Sequence, residues 1–176
     1  MVGLISKNNF KKKAFFLDRD GILNKLVKNR PPWKISEISL FNEAHEIIKI
    51  IKSKNYLPIV VTNQPDEARG KLFINTDYIN QNICTKLELE HFYICKHPFD
   101  GVCNCRKPKP GMLIKASKDL NIDISKSFLL GDRAKDIEAG KSAGCQTILL
   151  RNKKICKSNF HVYNHQELIY LLKNIL

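Results

Sequence analysis

The sequence has no long apolar run, and it contains few acidic residues and few glycines. A membrane-spanning helix needs about 20 consecutive, mostly apolar residues, and no such run occurs among the 176 residues. The eight glycines and seven prolines are dispersed, which excludes a collagen-like repeat and a flexible linker. Residues 1–13 are polar and basic, without the apolar core of a secretory signal. These absences predict one domain over residues 1–176, located in the cytoplasm.

The shortage of acidic residues leaves the chain strongly basic. Thirty Lys and Arg residues oppose 17 Asp and Glu residues, so the formal net charge is +13. Such a charge suits nucleic acid, an anionic membrane surface or a small phosphorylated substrate. Nucleic-acid binding needs basic residues gathered on one face, whereas here they are spread over every segment. We therefore expect a monomer that binds a small phosphorylated molecule, with no nucleic acid and no membrane as partners. A basic zinc-containing nucleic-acid-binding protein is the alternative from another class.

Short apolar runs alternate along the chain with longer segments of helical periodicity. The runs are too short for helices and predict buried strands at Ala14–Leu17, Leu57–Val61, Phe92–Ile94, Ser127–Leu130 and Thr147–Leu150. The periodic segments predict helices at Glu43–Lys54, Asn75–Leu89, Pro110–Leu120, Ala134–Ala143 and His165–Ile175. Asn75 is expected to cap the start of the second helix and Gly144 the end of the fourth. This alternation favours an α/β fold, a Rossmann-like parallel sheet with helices on both faces. No insertion between these segments is long enough for a large cap domain.

Acidic residues follow two of the predicted strands. Asp18 and Asp20 leave the first strand, with Gly21 to allow the turn, and Asp132 follows a later strand. Ligands of parallel sheets bind beyond the carboxyl ends of the strands, and grouped carboxylates suit Mg²⁺. One carboxylate can also attack phosphorus while another protonates the leaving oxygen. The structural alternatives are a solvated turn for the Asp18–Asp20 pair and favourable negative charge at the start of a helix for Asp132. Asp136 fits either a residue that braces the site or the same helix-start charge.

Donors for a phosphate group follow the second strand and the cysteine-rich segment. Thr62 offers a hydroxyl, and Asn63 and Gln64 offer amides. Arg106 and Lys107 add positive charge, because arginine binds phosphate in bidentate fashion and lysine acts as a point charge. The alternative for this basic pair is a solvated loop.

Three of the six cysteines lie close to a histidine in the sequence. Cys95, His97, Cys103 and Cys105 make up a three-thiolate, one-imidazole donor set of the type that binds structural zinc. A disulfide or ordinary buried thiols are the alternatives, and they are disfavoured in a reducing compartment. Because all four ligand positions are filled, we expect a zinc-bound loop that shapes the basic segment after it and does no chemistry itself.

Four segments resemble, in the expected order, the four motifs of the haloacid dehalogenase superfamily. They are Phe16–Gly21 (FLDRDG), Val60–Gln64 (VVTNQ), Cys105–Met112 (CRKPKPGM) and Leu130–Asp136 (LGDRAKD). With the flanking strands and helices, the resemblance extends over nearly the whole chain. Within the superfamily, the chain resembles the zinc-containing phosphatases that act on heptose bisphosphate or on histidinol phosphate.

The resemblance implies a Mg²⁺-dependent phosphatase that works through an aspartyl-phosphate. It makes Asp18 the nucleophile and Asp20 the general acid/base, with Thr62 and Lys107 holding the phosphoryl group. It also implies that Asp18, Asp20 and Asp132 bind the Mg²⁺ ion, with Asp20 contributing its backbone carbonyl.

The resemblance also implies a phosphorylated metabolite as the substrate, and four residues are candidates for binding it. These candidates are Asn63, Gln64, Arg106 and Arg133. A sugar bisphosphate makes the best use of the surplus cations, so the expected reaction removes the 7-phosphate from D-glycero-D-manno-heptose 1,7-bisphosphate. Histidinol phosphate is the alternative substrate.

Overall fold

The computed structural model describes residues 11–70, 75–98, 102–151, 153 and 156–176; residues 1–10 of the basic N-terminal stretch lie outside the described residues. Within these ranges the strands are β1 (Lys13–Leu17), β2 (Tyr56–Asn63), β3 (His91–Cys95), β4 (Phe128–Gly131), β5 (Gln146–Leu150) and β6 (Phe160–Val162). The α-helices are α1 (Ala44–Ser53), α2 (Thr76–Lys86), α3 (Gly111–Leu120), α4 (Ala134–Ala143) and α5 (His165–Ile175). Single-turn 3₁₀ helices cover Ile35–Glu37 and Ile124–Lys126.

The five predicted strands and five predicted helices are all confirmed, with ends shifted by a few residues. The cap expected at the start of α2 is present, because the Asn75 side chain accepts a hydrogen bond from the Tyr78 backbone N–H at 2.9 Å. Gly144 ends α4 in the left-handed region at φ +92°. The sixth strand, β6, was not predicted, because a three-residue Phe-His-Val segment gives no apolar run.

The sheet is parallel throughout, in the order β3-β2-β1-β4-β5-β6. This arrangement confirms the predicted Rossmann-like fold. The order reverses between β1 and β4, and ligands of such sheets bind beyond the strand ends at that point. The Asp18 backbone N–H donates to the Leu130 carbonyl at 2.9 Å, so the ends of the two strands lie side by side. The crevice that the topology predicts therefore lies at Asp18.

Both faces of the sheet are covered by helices, and the side chains of β1 alternate between them. Phe15 and Leu17 pack with residues of α1, α2 and α5, whereas Phe16 packs with residues of α3 and α4. All three β1 side chains are completely buried. This two-sided burial explains why the central strand reads as a continuous apolar run.

The first two connections between strands each carry one α-helix. The chain from β1 to β2 carries a loop and α1, and the chain from β2 to β3 carries α2. Within the described ranges no connection contains a cap domain, as predicted. The longest helices have 11 residues, and none of the described helices is long and apolar enough to cross a membrane.

The loop between β1 and α1 is held by an arginine–glutamate pair. The Arg30 guanidinium donates two hydrogen bonds of 2.8 Å to the Glu37 carboxylate, and the Trp33 backbone N–H donates a third at 2.9 Å. The guanidinium also lies 4.0 Å from the centroid of the Trp33 ring. The hydrogen bonds from Arg30, with that from the Trp33 backbone, lower the pKa of Glu37 from 4.5 to about 2.

This pair makes a pH-dependent contribution to stability. Because the folded-state pKa of Glu37 is depressed, its contribution is complete above the unfolded value of 4.5 and is lost as the pH falls towards about 2. We expect Glu37→Gln to lower the free energy of unfolding at neutral pH, and the gap to wild type to close between pH 4.5 and about 2. Urea unfolding across that range measures the gap, with Glu138→Gln, an exposed site on α4, as the control. A gap that stays constant with pH would contradict this account.

Candidate active site

A buried lysine lies at the centre of the crevice. The Lys107 ammonium nitrogen lies 2.8 Å from Asp18 Oδ1 and 2.7 Å from Asp136 Oδ1, and it donates to the Val61 carbonyl at 2.8 Å. The side chains of Lys107 and Asp136 are fully buried, and that of Asp18 is 9% exposed. Two hydrogen bonds, to Asp18 and to the Val61 carbonyl, and an ion pair with Asp136 therefore hold the ammonium. Lys107 thus joins the ends of β1 and β2 to the first turn of α4.

Burial and charge shift the ionisation of these groups. Burial raises the pKa of Asp18, Lys107 opposes this rise and the Asp136 carboxylate adds to it, so that the pKa of Asp18 is about 7. Burial alone would lower the pKa of Lys107, but the Asp136 and Asp18 carboxylates raise it above its ordinary value. Lys107 is therefore a permanent cation. Its single charge does not fully offset the negative charge of the neighbouring carboxylates.

Three carboxylates form a cluster that suits a divalent cation. Oxygen atoms of Asp18, Asp132 and Asp136 lie within 4.8 Å of one another. Asp132 Oδ1 is buried and has no hydrogen-bond partner among the described residues. Gly21 makes the predicted turn at φ +88°, where a Cβ atom would lie 2.7 Å from Asp132 Oδ2. Hard cations such as Mg²⁺ take carboxylate oxygens, so the orphaned Asp132 oxygen beside Asp18 fits such an ion.

The Asp20 carboxylate lies outside this cluster, in a cage of donors. It accepts hydrogen bonds from Arg19 at 2.9 Å, from Asn24 at 2.9 Å and from Gln64 at 2.6 Å. Arg19 is 1% exposed and is itself fixed by Asn80 Oδ1 at 3.0 Å. These bonds set the orientation of the Asp20 carboxylate.

The three polar residues at the end of β2 contact other residues of the site. Asn63 and the Lys107 backbone exchange two hydrogen bonds of 3.1 Å. The Gln64 amide donates to the Thr62 hydroxyl oxygen at 2.8 Å as well as to Asp20. Thr62 and Gln64 are buried. Asn63 and Gln64 therefore fix the places of Lys107 and Asp20.

A cavity of about 510 Å³ opens onto these groups. The predicted site residues that line it are Asp18, Asp20, Thr62, Asn63, Arg106 and Arg133. Arg106 donates to the His97 carbonyl, which ties the cavity wall to the cysteine-rich loop. Arg133 Nε lies 3.8 Å from Asp132 Oδ1, and the Arg133 side chain is 46% exposed. On the opposite wall the Trp33 indole N–H donates to Asp66 Oδ2 at 2.9 Å, which joins the two loops at the mouth.

The four predicted zinc ligands lie together. Ligand atoms of Cys95, His97, Cys103 and Cys105 fall within 4.8 Å of one another. The Cys95 and Cys103 sulfurs are 3.8 Å apart, and His97 Nδ1 lies 3.5 Å from Cys95 Sγ and 3.2 Å from Cys105 Sγ. A disulfide has an S–S distance of about 2.05 Å, whereas tetrahedral Zn–S bonds of about 2.3 Å place sulfurs about 3.8 Å apart. The geometry fits zinc and excludes a disulfide between Cys95 and Cys103.

Two groups of site residues have roles that the sequence does not indicate. Arg19 lies inside the first motif, but nothing in the sequence marks it or Asn80 as a support of Asp20, because a lone Arg in a turn or Asn in a helix is ordinarily a solvated residue. Trp33 and Asp66 are 33 positions apart, and only the folded loops bring them together. The acidic residues after the strands, the cysteine cluster and the motifs were the usable signals, and none of them points to these contacts.

Curated bacterial phosphatases are similar to this chain over most of its length. A Pasteurella multocida protein named D-glycero-beta-D-manno-heptose-1,7-bisphosphate 7-phosphatase is 37% identical over 156 residues, which cover 81% of this chain and 84% of that protein. The Campylobacter jejuni D-glycero-alpha-D-manno-heptose-1,7-bisphosphate 7-phosphatase is 33% identical and covers 85% of this chain and 88% of its own length. Identity above 30% over four fifths of the chain shows common family membership.

A family model and solved structures point the same way. A model described as HAD-hydrolase-like matches residues 104–166. The D,D-heptose 1,7-bisphosphate phosphatase of B. bronchiseptica, solved with magnesium and phosphate, has a TM-score of 0.81 at 22% identity and covers 93% of this chain and 99% of that one. A HAD-like phosphatase structure from Mesorhizobium loti has a TM-score of 0.77 at 27% identity, covering 93% and 85%. The motif resemblance is thus confirmed, and the chain belongs to the haloacid dehalogenase superfamily of phosphatases, in the group of the heptose-1,7-bisphosphate phosphatases.

Proposed function

We propose that this protein is a Mg²⁺-dependent phosphatase that removes the 7-phosphate of D-glycero-D-manno-heptose 1,7-bisphosphate. The observation that carries the proposal is the Asp18 carboxylate, held against Lys107 at the switch-point crevice and clustered with Asp132, whose Oδ1 has no hydrogen bond among the described residues. The names of the relatives, at 37% and 33% identity, give the substrate. The proposal takes residues 1–176 as one domain.

Asp18 attacks the phosphorus atom, and Asp20 acts as the general acid and then as the general base. The Asp18 carboxylate forms a bond to phosphorus as the bond to the sugar oxygen breaks, and the protonated Asp20 gives its proton to that oxygen. Asp20 then takes a proton from the water that hydrolyses the aspartyl-phosphate. The cage formed by Arg19, Asn24 and Gln64 keeps the carboxyl group aimed at the cavity.

A bound Mg²⁺ ion fits the carboxylate cluster. Its ligands would be Asp18, Asp132 and the backbone carbonyl of Asp20, with Asp136 kept on Lys107 by their ion pair. The ion would supply positive charge to the phosphoryl oxygens and favour the ionised form of Asp18, which burial otherwise disfavours.

The remaining predicted residues divide into contacts and supports. Thr62, Arg106 and Arg133 line the cavity with donor groups and are proposed to contact the substrate. Asn63 and Gln64, which were predicted to bind substrate, are proposed to act indirectly through their hydrogen bonds to Lys107 and Asp20.

Zinc is proposed to hold the loop that carries Arg106. The four ligands Cys95, His97, Cys103 and Cys105 would close the coordination shell, so the ion would have a structural role. The Arg106 hydrogen bond to the His97 carbonyl transmits the loop conformation to the cavity.

The protein is proposed to act as a monomer in the cytoplasm on a small metabolite. Among the described residues, four large apolar side chains are exposed: Tyr78, Val102, Tyr163 and Tyr170. So small a number of exposed apolar side chains favours a monomer. The cations of the cavity wall suit a phosphorylated small molecule better than a nucleic acid, which needs a continuous basic face.

Loss of the nucleophile tests the reaction. We expect Asp18→Asn to lower kcat/KM for the bisphosphate at least about 1,000-fold, because the amide cannot form the aspartyl-phosphate. Phosphate release in the presence of Mg²⁺ measures the effect. Asp119→Asn, an exposed carboxylate on α3 that pairs with Lys115, should retain wild-type turnover. Undiminished phosphate release by Asp18→Asn would overturn the mechanism.

The substrate assignment needs a separate comparison. Wild-type protein with Mg²⁺ should hydrolyse heptose 1,7-bisphosphate with a higher kcat/KM than histidinol phosphate. If histidinol phosphate is the better substrate, the phosphatase mechanism stands but the proposed substrate is wrong.

Loss of a zinc ligand tests the loop. We expect Cys103→Ser to bind less zinc, to unfold at a lower temperature and to lose turnover, because the loop no longer presents Arg106. Its affinity for Mg²⁺ should stay close to wild type. Elemental analysis, thermal unfolding and phosphate release make the three measurements, with Cys156→Ser, outside the cluster, as the matched control. Full turnover by a zinc-free Cys103→Ser protein would contradict the structural role.

A further inference from the structure

Lys135 is a basic side chain of the catalytic cavity that lacks a partner. It lines the same cavity as Asp18 and is half-buried. No described residue forms a hydrogen bond or an ion pair with its ammonium, a property it shares with the exposed rim residue Lys28. The other basic side chains of the wall are engaged: Arg30 with Glu37, Arg69 with Asp66, Arg106 with the His97 carbonyl and Arg133 with Asp132.

The place of Lys135 in the fold is unfavourable for a cation. It is the second residue of α4, and the amino end of a helix repels positive charge. Its partial burial also costs hydration of the ammonium. The carboxylates of Asp18 and Asp136 attract the ammonium, and both belong to the site. A residue that breaks a local rule without a hydrogen bond or an ion pair marks a functional position more often than a structural one.

The central lysine cannot meet the needs of an incoming phosphoryl group by itself. The Lys107 ammonium is already hydrogen-bonded to Asp18 and to the Val61 carbonyl, and it is ion-paired with Asp136. A phosphate monoester brings a charge of about −2 near neutral pH, into a site that already holds a cluster of carboxylates. Besides the proposed Mg²⁺ ion, a cation of the cavity wall would offset part of that charge.

We propose that Lys135 is a catalytic residue that contacts the oxygens of the transferring phosphoryl group. The inference rests on the proposed function of the site. The ammonium of Lys135 replaces the hydration it loses in the cavity by hydrogen bonds to the phosphoryl oxygens, and it stabilises the negative charge that they carry in the transition state. Binding of the phosphoryl group thereby offsets the unfavourable position of this cation at the start of α4.

Replacement of Lys135 is therefore expected to lower the activity without lowering the stability. We expect Lys135→Met to lower kcat/KM about 10- to 100-fold, the effect of losing one charge-assisted hydrogen bond. Its unfolding temperature should equal or exceed that of wild type, because a poorly placed cation is removed. Lys135→Arg, which keeps the charge, should recover most of the activity. Lys141→Met, in the last turn of the same helix and exposed, should change neither quantity.

Binding of inorganic phosphate separates this inference from the proposed function. In calorimetric titrations with Mg²⁺ present, Lys135→Met should bind phosphate about 10-fold or more weakly than wild type, whichever organic phosphate is the substrate. Weaker phosphate binding without any turnover of sugar phosphates by wild type would support Lys135 and overturn the proposed function. Equal phosphate binding by the two proteins, or no measurable binding by wild type, would overturn the role of Lys135. A fall in both unfolding temperature and activity would also overturn it, since that pattern indicates a structural lysine.

Discussion

The ammonium group of Lys107 is the constraint on which the site depends. It is fully buried, and it draws Asp18, Asp136 and the Val61 carbonyl to within 2.8 Å. A buried cation is tolerated only when it is paired and hydrogen-bonded, so the ends of β1 and β2 and the start of α4 must converge on it. Asn63 supports it from β2 through the Lys107 backbone. Asp132 clusters with Asp18 beside this ammonium, with its Oδ1 free of hydrogen bonds among the described residues, and the cavity next to them is lined by Lys135.

The fold was predictable because its signals are local. Short apolar runs that end in turns gave five of the strands, and the two-sided burial of Phe15 and Phe16 accounts for the unbroken apolar run of β1. The caps at Asn75 and Gly144 were also readable, since each depends on one residue type at one place. The strand β6 was not predicted because it is short and has a histidine at its centre, so that only its pairing with β5 defines it.

The site was predictable in composition but only partly in arrangement. Strand-end positions led to Asp18, Asp20 and Asp132, because the topology forces such residues to one edge of the sheet. The partner that each polar side chain selects depends on distances that no sequence pattern encodes. Gln64 therefore holds Asp20, although its amide suits phosphate equally well.

The central claim is that Asp18, held by Lys107, forms a covalent bond to phosphorus during turnover. Its most direct test is a single-turnover reaction in water enriched in ¹⁸O, with excess enzyme, followed by mass spectrometry of the peptide that contains Asp18. If the aspartyl-phosphate forms and water attacks its phosphorus atom, the released phosphate carries one ¹⁸O and the Asp18 peptide carries none, and acid quenching within the turnover traps a peptide heavier by one phosphoryl group at Asp18. Complete turnover with no phosphorylated Asp18 peptide at any quench time, under conditions that preserve a synthetic aspartyl-phosphate, would contradict the account.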